Sequence, residues 1–259
     1  MTVALAHDEH GAGEPLVVLH GLYGSKRNWA SVATELGRSR RVLCVDLRNH
    51  GESPWDGRHD YAALAADVAA LIRSTIGGPA AVLGHSMGGK AAMLLALTEP
   101  ALVERLVVVD IAPAPSPGTA AIDPRVLRAV PLEACPRRAD VEAALAGRIP
   151  SLAVRSFLAK NLASGPDGLA WKVNLDALER HYGDILGFPD IPAGQAFGKP
   201  TLFVAGGRSD YVGPQHHAAI RRLFPAADIT IIPEAGHWVH AEAPREFVRL
   251  VERFLEGRP

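Results

Sequence analysis

Five short runs along the chain are apolar at successive positions: PLVVLH (Pro15–His20), RVLCVD (Arg41–Asp46), AAVLG (Ala80–Gly84), RLVVVD (Arg105–Asp110) and TLFVA (Thr201–Ala205). Continuous rather than alternating hydrophobicity is the pattern of strands covered on both faces, as in a parallel sheet. A sixth strand-like run, Asp228–Ile232, follows late in the chain. Between them the period changes. Leu64, Val68, Leu71 and Ile72 fall on one helical face, with Asp60 placed as an N-cap. Phe247, Val251, Phe254 and Leu255 repeat that spacing after Pro244, a residue suited to a first helical turn. Strand and helix in alternation predict an α/β fold with a mostly parallel, doubly wound sheet.

One segment breaks the rhythm. After Asp110 comes IAPAPSPG, rich in turn formers, and the next strand-like run waits until residue 200. In between, Val141, Ala144 and Leu145, then Leu175, Leu178, Tyr182, Ile185 and Leu186, keep helical spacing, and no strand is expected. Residues 114–198 are therefore expected to form a helical cap insertion over the carboxyl edge of the sheet, where open α/β sheets bind ligands. Residues 1–113 and 199–259 would form the core.

Composition narrows the function classes. With 48% hydrophobic and 21% charged residues among 259, the chain is an ordinary globular one. A net charge of −1 and the lack of a basic stripe argue against a nucleic-acid binder. No apolar run reaches membrane-spanning length, and the first fifteen residues lack the basic start and apolar stretch of a signal peptide. Cys44 and Cys135 share no metal-type spacing, so a reducing, cytoplasmic setting is expected. No cofactor and no metal are expected; the oligomeric state is not readable.

The chemistry-bearing stretch is GHSMGGK, Gly84 to Lys90, and it fits two machines. As G-x-x-x-x-G-K it opens a phosphate-binding P-loop; as G-x-S-x-G around Ser86 it is a nucleophile elbow. The P-loop requires Ser or Thr after the lysine to hold magnesium, and this chain has Ala91. The elbow requires a later histidine and an upstream oxyanion loop. His237 stands in AGHWVHAE after the last strand-like run. The first strong strand runs into HGLYGS, whose glycines let the Leu22 N–H face a substrate oxygen beside the N–H of Met87. The elbow reading, with Ser86 as nucleophile and His237 as base, is the one that the rest of the chain supports.

HGLYGS, DLRNHGESP, GHSMGGKAAM, VVDIAP, WKVNLDAL and AGHWVHAE together resemble the α/β-hydrolases, and within them the YbfF-type esterases and their mitochondrial relatives. The resemblance covers nearly the whole chain. It implies an α/β-hydrolase fold with an eight-stranded sheet, and cofactor-free hydrolysis of acyl esters or acyl-CoA thioesters. It also makes Lys90 a family helix residue rather than a phosphate hook. The triad acid stays open between two aspartates. Position in the superfamily favours Asp210, in GGRSDYV. Members of the YbfF-type group often lack an acid there and keep the aspartate of DIAP, which favours Asp110, and a strand-end aspartate suits a buried orienting role. Asp110 is preferred.

Other polar residues have plainer readings. His20 is expected to shape the oxyanion loop, His85 to pack, and Asp46, Arg48 and His50 to tie down a long loop. His216 and His217 are expected at an exposed helix start. Tyr23, Asn174, Tyr211 and Trp238 are candidates to line the acyl pocket, and Phe157 and Leu158 to set its size. The competing functions are a non-catalytic binding module on the same fold, a cofactor-free perhydrolase or haloperoxidase with the same triad, and, more distantly, an NTPase.

Overall fold

A computed structural model describes residues 1–116, 122–166 and 168–257. Pro117 and Gly118, which close the turn-rich IAPAPSPG segment, lie outside the described residues.

Among the described residues, seven strands form the main sheet: β1 (His7–His10), β2 (Pro15–Leu19), β3 (Arg41–Val45), β4 (Ala80–His85), β5 (Val103–Val109), β8 (Thr201–Gly206) and β9 (Ala227–Ile232). Their order is β1-β3-β2-β4-β5-β8-β9, with β1 antiparallel to β3 and every other pair parallel. The eighth strand implied by the family resemblance is not among the described residues of this sheet. The polar β1, HDEH, escaped the hydrophobic pattern because it is an edge strand whose charged side chains discourage further pairing.

The continuous apolar runs are explained by two cores. Val17, Leu19, Val45 and Val82 pack with the helices Tyr61–Leu71 and Met87–Thr98 on one face. Their neighbours Leu16, Val18, Val42 and Leu83 pack with Trp29, Phe247, Val251 and Leu255 on the other. The strand period of two thus feeds both layers. Asp60 caps the first of these helices by accepting from Ala63 N at 2.8 Å. Pro244 opens the last helix, Pro244–Leu255.

The segment between β5 and β8 carries the helices Pro124–Arg128, Arg138–Leu145, Leu152–Ala159, Leu175–Arg180 and Tyr182–Leu186. It also carries a hairpin, β6 (Leu162–Gly165) with β7 (Gly168–Trp171), where no strand was expected. LASG and GLAW are four residues each and contain no β-branched residue, so neither strand shows a period or a propensity to read.

From β2 the chain steps to β3 on one side, and β4 then returns to the other side of β2. That reversal leaves a crevice above the carboxyl ends of β2 and β4, the place where open α/β sheets hold ligands. The loop after β2 and the turn after β4 both end there.

Candidate active site

Ser86 sits between the last residue of β4 and the first of the helix Met87–Thr98, with φ 52° and ψ −120°. A serine in that conformation is strained by about 1–3 kcal/mol, and the neighbouring glycines are what make it sterically possible. A β-carbon on Gly84 would meet the Gly88 carbonyl oxygen at 2.2 Å, and one on Gly88 would meet the His20 carbonyl oxygen at 2.5 Å. The strand, the turn and the β2 loop approach closer than any side chain allows.

The other non-glycine residues with positive φ among those described are Tyr23, Asn49 and Asp110. All belong to this region. Asp110 follows β5 with φ 48° and is fully buried. Its Oδ1 accepts from Gly206 N at 2.9 Å, while Oδ2 accepts from Ser209 Oγ and, at 2.8 Å, from His237 Nδ1. With that imidazole proton given to the carboxylate, Nε2 is left as the acceptor for the Ser86 hydroxyl, 3.2 Å away. Asp210 is exposed beyond the end of β8. The structure thus brings together Ser86, His237 and Asp110. Ser209, next to Asp210, was missed, because a serine in the turn-rich GGRSDYV carries no signal of its own.

The ring of Tyr211 stacks on His237, centroids 4.0 Å apart and planes 17° apart, and Trp238 meets it edge-on at 5.7 Å. His85 does more than pack. Its Nε2 donates to the His237 carbonyl at 2.9 Å and so fixes the loop that carries the imidazole. That loop is followed by a short helix, Val239–Glu242, before the final one.

The loop after β2 is held from three sides. His20 donates from Nδ1 to Gly21 O at 2.8 Å and accepts at Nε2 from Leu47 N at 3.0 Å. His50 Nε2 accepts from Tyr23 N at 3.2 Å, and Asn161 donates to Tyr23 O at 2.7 Å. Asp46 accepts from Lys26 N and Glu52 N, and Arg48 pairs with Asp67, so DLRNHGESP is a framework for this loop. Among the described residues the Leu22 and Met87 N–H groups donate to no protein acceptor, and both residues line one small cavity of about 20 Å³ with Ser86.

Ser86 and His237 also open onto a cavity of about 460 Å³ walled by Ile122, Ile149, Val154, Phe157, Leu158 and Trp238. A second space of about 750 Å³ adjoins it across Tyr23, Phe157, Trp238 and His240, and is edged by Arg138, Lys160 and Lys172. Tyr23, Tyr211 and Trp238 therefore stand where pocket residues were expected. Asn174 does not. It caps the helix Leu175–Arg180 by accepting from Ala177 N, and its amide donates to Asn49 Oδ1 at 3.0 Å. A helix-capping asparagine and a pocket asparagine look alike in sequence.

Burial shapes the electrostatics here. It pushes His20 down to about 4, and His50 and His240 down to about 3. A histidine depressed below its usual value of about 6.5 favours the neutral, folded state above that pH and loses the advantage as pH falls toward the folded value. Each costs roughly 1.4 kcal/mol per pH unit across that window. The melting temperature is therefore expected to fall steadily between pH 6.5 and 5, above the range where ordinary carboxylates titrate. A melting temperature that stays flat over that interval contradicts the assignment of these imidazoles as buried and neutral.

An open, mostly parallel sheet, a strained serine at a strand-to-helix turn and a histidine–aspartate pair behind it define a class of fold. Residues 14–244 match the family model described as alpha/beta hydrolase fold, and the chain belongs to that family. It is 43% identical over 250 residues to the sn-1-specific diacylglycerol lipase ABHD11 of Mus musculus, spanning 93% of this chain and 80% of that protein. It is 34% identical over 259 residues to esterase YbfF of Escherichia coli K12, spanning 96% of each. A solved structure described as a marine microorganism esterase superposes with a TM-score of 0.93 at 34% identity, covering 98% of this chain and 100% of that one. No helix among the described residues is long and apolar enough to cross a membrane.

Proposed function

We propose that this carboxylic ester hydrolase works through an acyl-enzyme on Ser86, with small acyl esters as substrates and acyl-CoA thioesters as the second class open to the same chemistry. His237 Nε2 takes the hydroxyl proton as Ser86 Oγ attacks the carbonyl carbon. Asp110 holds the imidazolium that forms, and the Leu22 and Met87 N–H groups receive the oxyanion. The imidazolium proton passes to the leaving alcohol or thiol. Water then gives a proton to His237 as it attacks the acyl carbon; the bond from that carbon to Ser86 Oγ breaks, the acid leaves, and His237 returns the proton to Ser86. The observation that carries the reading is the continuous hydrogen-bond line from Asp110 through His237 to Ser86. The lipase and esterase names of the relatives support an ester substrate.

The test is a pre-steady-state assay on a p-nitrophenyl ester beside a screen of acyl-CoA thioesters. A burst of nitrophenol equal to the enzyme supports the acyl-enzyme. Binding of acyl ligands without turnover would leave a non-catalytic module.

We propose further that residues 114–198 act as a cap that sets acyl-chain preference. Phe157 lines both larger cavities, whereas Leu158 lines the 460 Å³ one alone and is otherwise packed into the core. Phe157→Ala should merge the two spaces and shift preference to longer acyl chains, with about 1–3 kcal/mol at stake per methylene. Leu158→Ala should enlarge the smaller space only and also destabilise the fold by about 2–5 kcal/mol. A kcat/KM series over ester chain length, with melting curves, separates the two. A uniform loss on all esters in folded Phe157→Ala would remove the cap from specificity.

A further inference from the structure

Lys90, the lysine of the rejected P-loop motif, lies one turn beyond Ser86, and its N–H donates to the Ser86 carbonyl at 3.0 Å. It is buried, and among the described residues no carboxylate pairs with it. Burial without a counter-ion pushes it down to about 7. A group kept in so costly a place must be matched by its hydrogen bonds.

Those bonds have a common direction. Nζ donates to Ser116 Oγ at 3.0 Å, to Leu186 O at 2.9 Å and to Gly187 O at 2.6 Å. Ser116 is on the connection leaving β5, and Leu186–Gly187 end the helix from which the chain returns to β8. Ser116 N also donates to Leu186 O at 2.7 Å. One ammonium therefore holds the outgoing and the returning connection of the insertion to each other and to the helix that starts at Ser86. The small cavity beside it is walled by Leu22, Ser86, Met87, Ser116, Leu186 and Tyr211, so the clamp forms one side of the space around the serine.

We propose that Lys90 is a positioning residue: it clamps both connections of the insertion to the Ser86 helix and thereby fixes the wall of the cleft against which the acyl ester is aligned. The proposal rests on the ester-hydrolase reading for its kinetic test and on geometry alone for its exchange test. The side chain touches no reacting atom, so its removal should loosen binding and alignment rather than abolish chemistry.

In Lys90→Met, KM for the preferred p-nitrophenyl ester should rise about tenfold while kcat changes about threefold or less, and chain-length preference should flatten. Lys90→Gln, which keeps two donors, should fall between Lys90→Met and the wild type. Ser116→Ala removes one of the three acceptors, leaves one ammonium N–H without its partner, and should move KM in the same direction. Hydrogen exchange at the Ser116 amide should quicken about tenfold in Lys90→Met, a readout that needs no activity. Wild-type KM, chain profile and exchange in folded Lys90→Met would overturn the clamp, as would a fall in kcat on every ester with KM unchanged. Where Lys90→Met does not fold, Lys90→Gln and Ser116→Ala decide by the same measurements. A wild-type protein inactive on all esters would overturn the hydrolase reading, leaving the exchange result to decide the clamp.

Discussion

Ser86→Ala is expected to remove ester turnover and labelling by a fluorophosphonate probe together, because both need the same oxygen. In the serine protease subtilisin, losing the corresponding hydroxyl costs about 10⁶ in kcat, with the remaining donors still giving some acceleration over water. A loss of that order is expected here. The fold should survive, since alanine keeps the β-carbon at φ 52° and neither relieves nor adds strain. Ser86→Gly sharpens the test. Glycine adopts that conformation freely, so the variant should be as inactive as Ser86→Ala yet more stable by about 1 kcal/mol or more. Retained labelling in Ser86→Ala would place the nucleophile on another residue. A Ser86→Gly protein that melts below the wild type would mean that the turn stores no strain.

The sequence was most legible where one physical requirement dictates residue type. Strands buried on both faces must be apolar at every position, so β2, β3, β4, β5 and β8 could be read directly. Ser86 and His237 were readable because the elbow forces glycines at 84 and 88, and because AGHWVHAE follows the last strand-like run. Elements with little apolar burial were not readable. β1 is a charged edge, and β6–β7 is a pairing of two four-residue strands whose register comes from each other. The supports of the site were hidden for a different reason. His50, Asn161, His85 and Lys90 act on segments 27, 138, 152 and up to 97 positions away, and spacing along a chain does not encode those contacts. Lys90 shows the difficulty best. Its motif context suggested a phosphate or nothing, while its partners are neutral oxygens on the two connections of the insertion.

Asp110→Asn is expected to lose about 10⁴ in kcat, the figure known for this replacement in serine proteases, whereas Asp210→Asn should lose about tenfold or less. The difference follows from what each carboxylate faces. Asp110 is fully buried and receives three donors: Gly206 N on one oxygen, Ser209 Oγ and His237 Nδ1 on the other. An asparagine has one acceptor oxygen and one donating amide. If the oxygen stays toward Gly206 N, the amide confronts the Nδ1 proton and drives it to Nε2, where it blocks acceptance from Ser86. If the amide turns toward Gly206, the side-chain amide and the Gly206 N–H oppose each other as two donors in a buried space, at a cost of about 1–3 kcal/mol. The negative charge that would stabilise the imidazolium is lost in either orientation. Asp210 is exposed, where water screens its charge and replaces its hydrogen bonds. Melting curves on both variants separate the loss of rate from the loss of fold. Ser209→Ala gives a graded control, since it removes one donor from Asp110 and leaves the charge and the imidazole bond in place; it should cost far less than Asp110→Asn. A brisk Asp110→Asn enzyme beside a crippled Asp210→Asn enzyme would show that His237 turns to the other aspartate during catalysis.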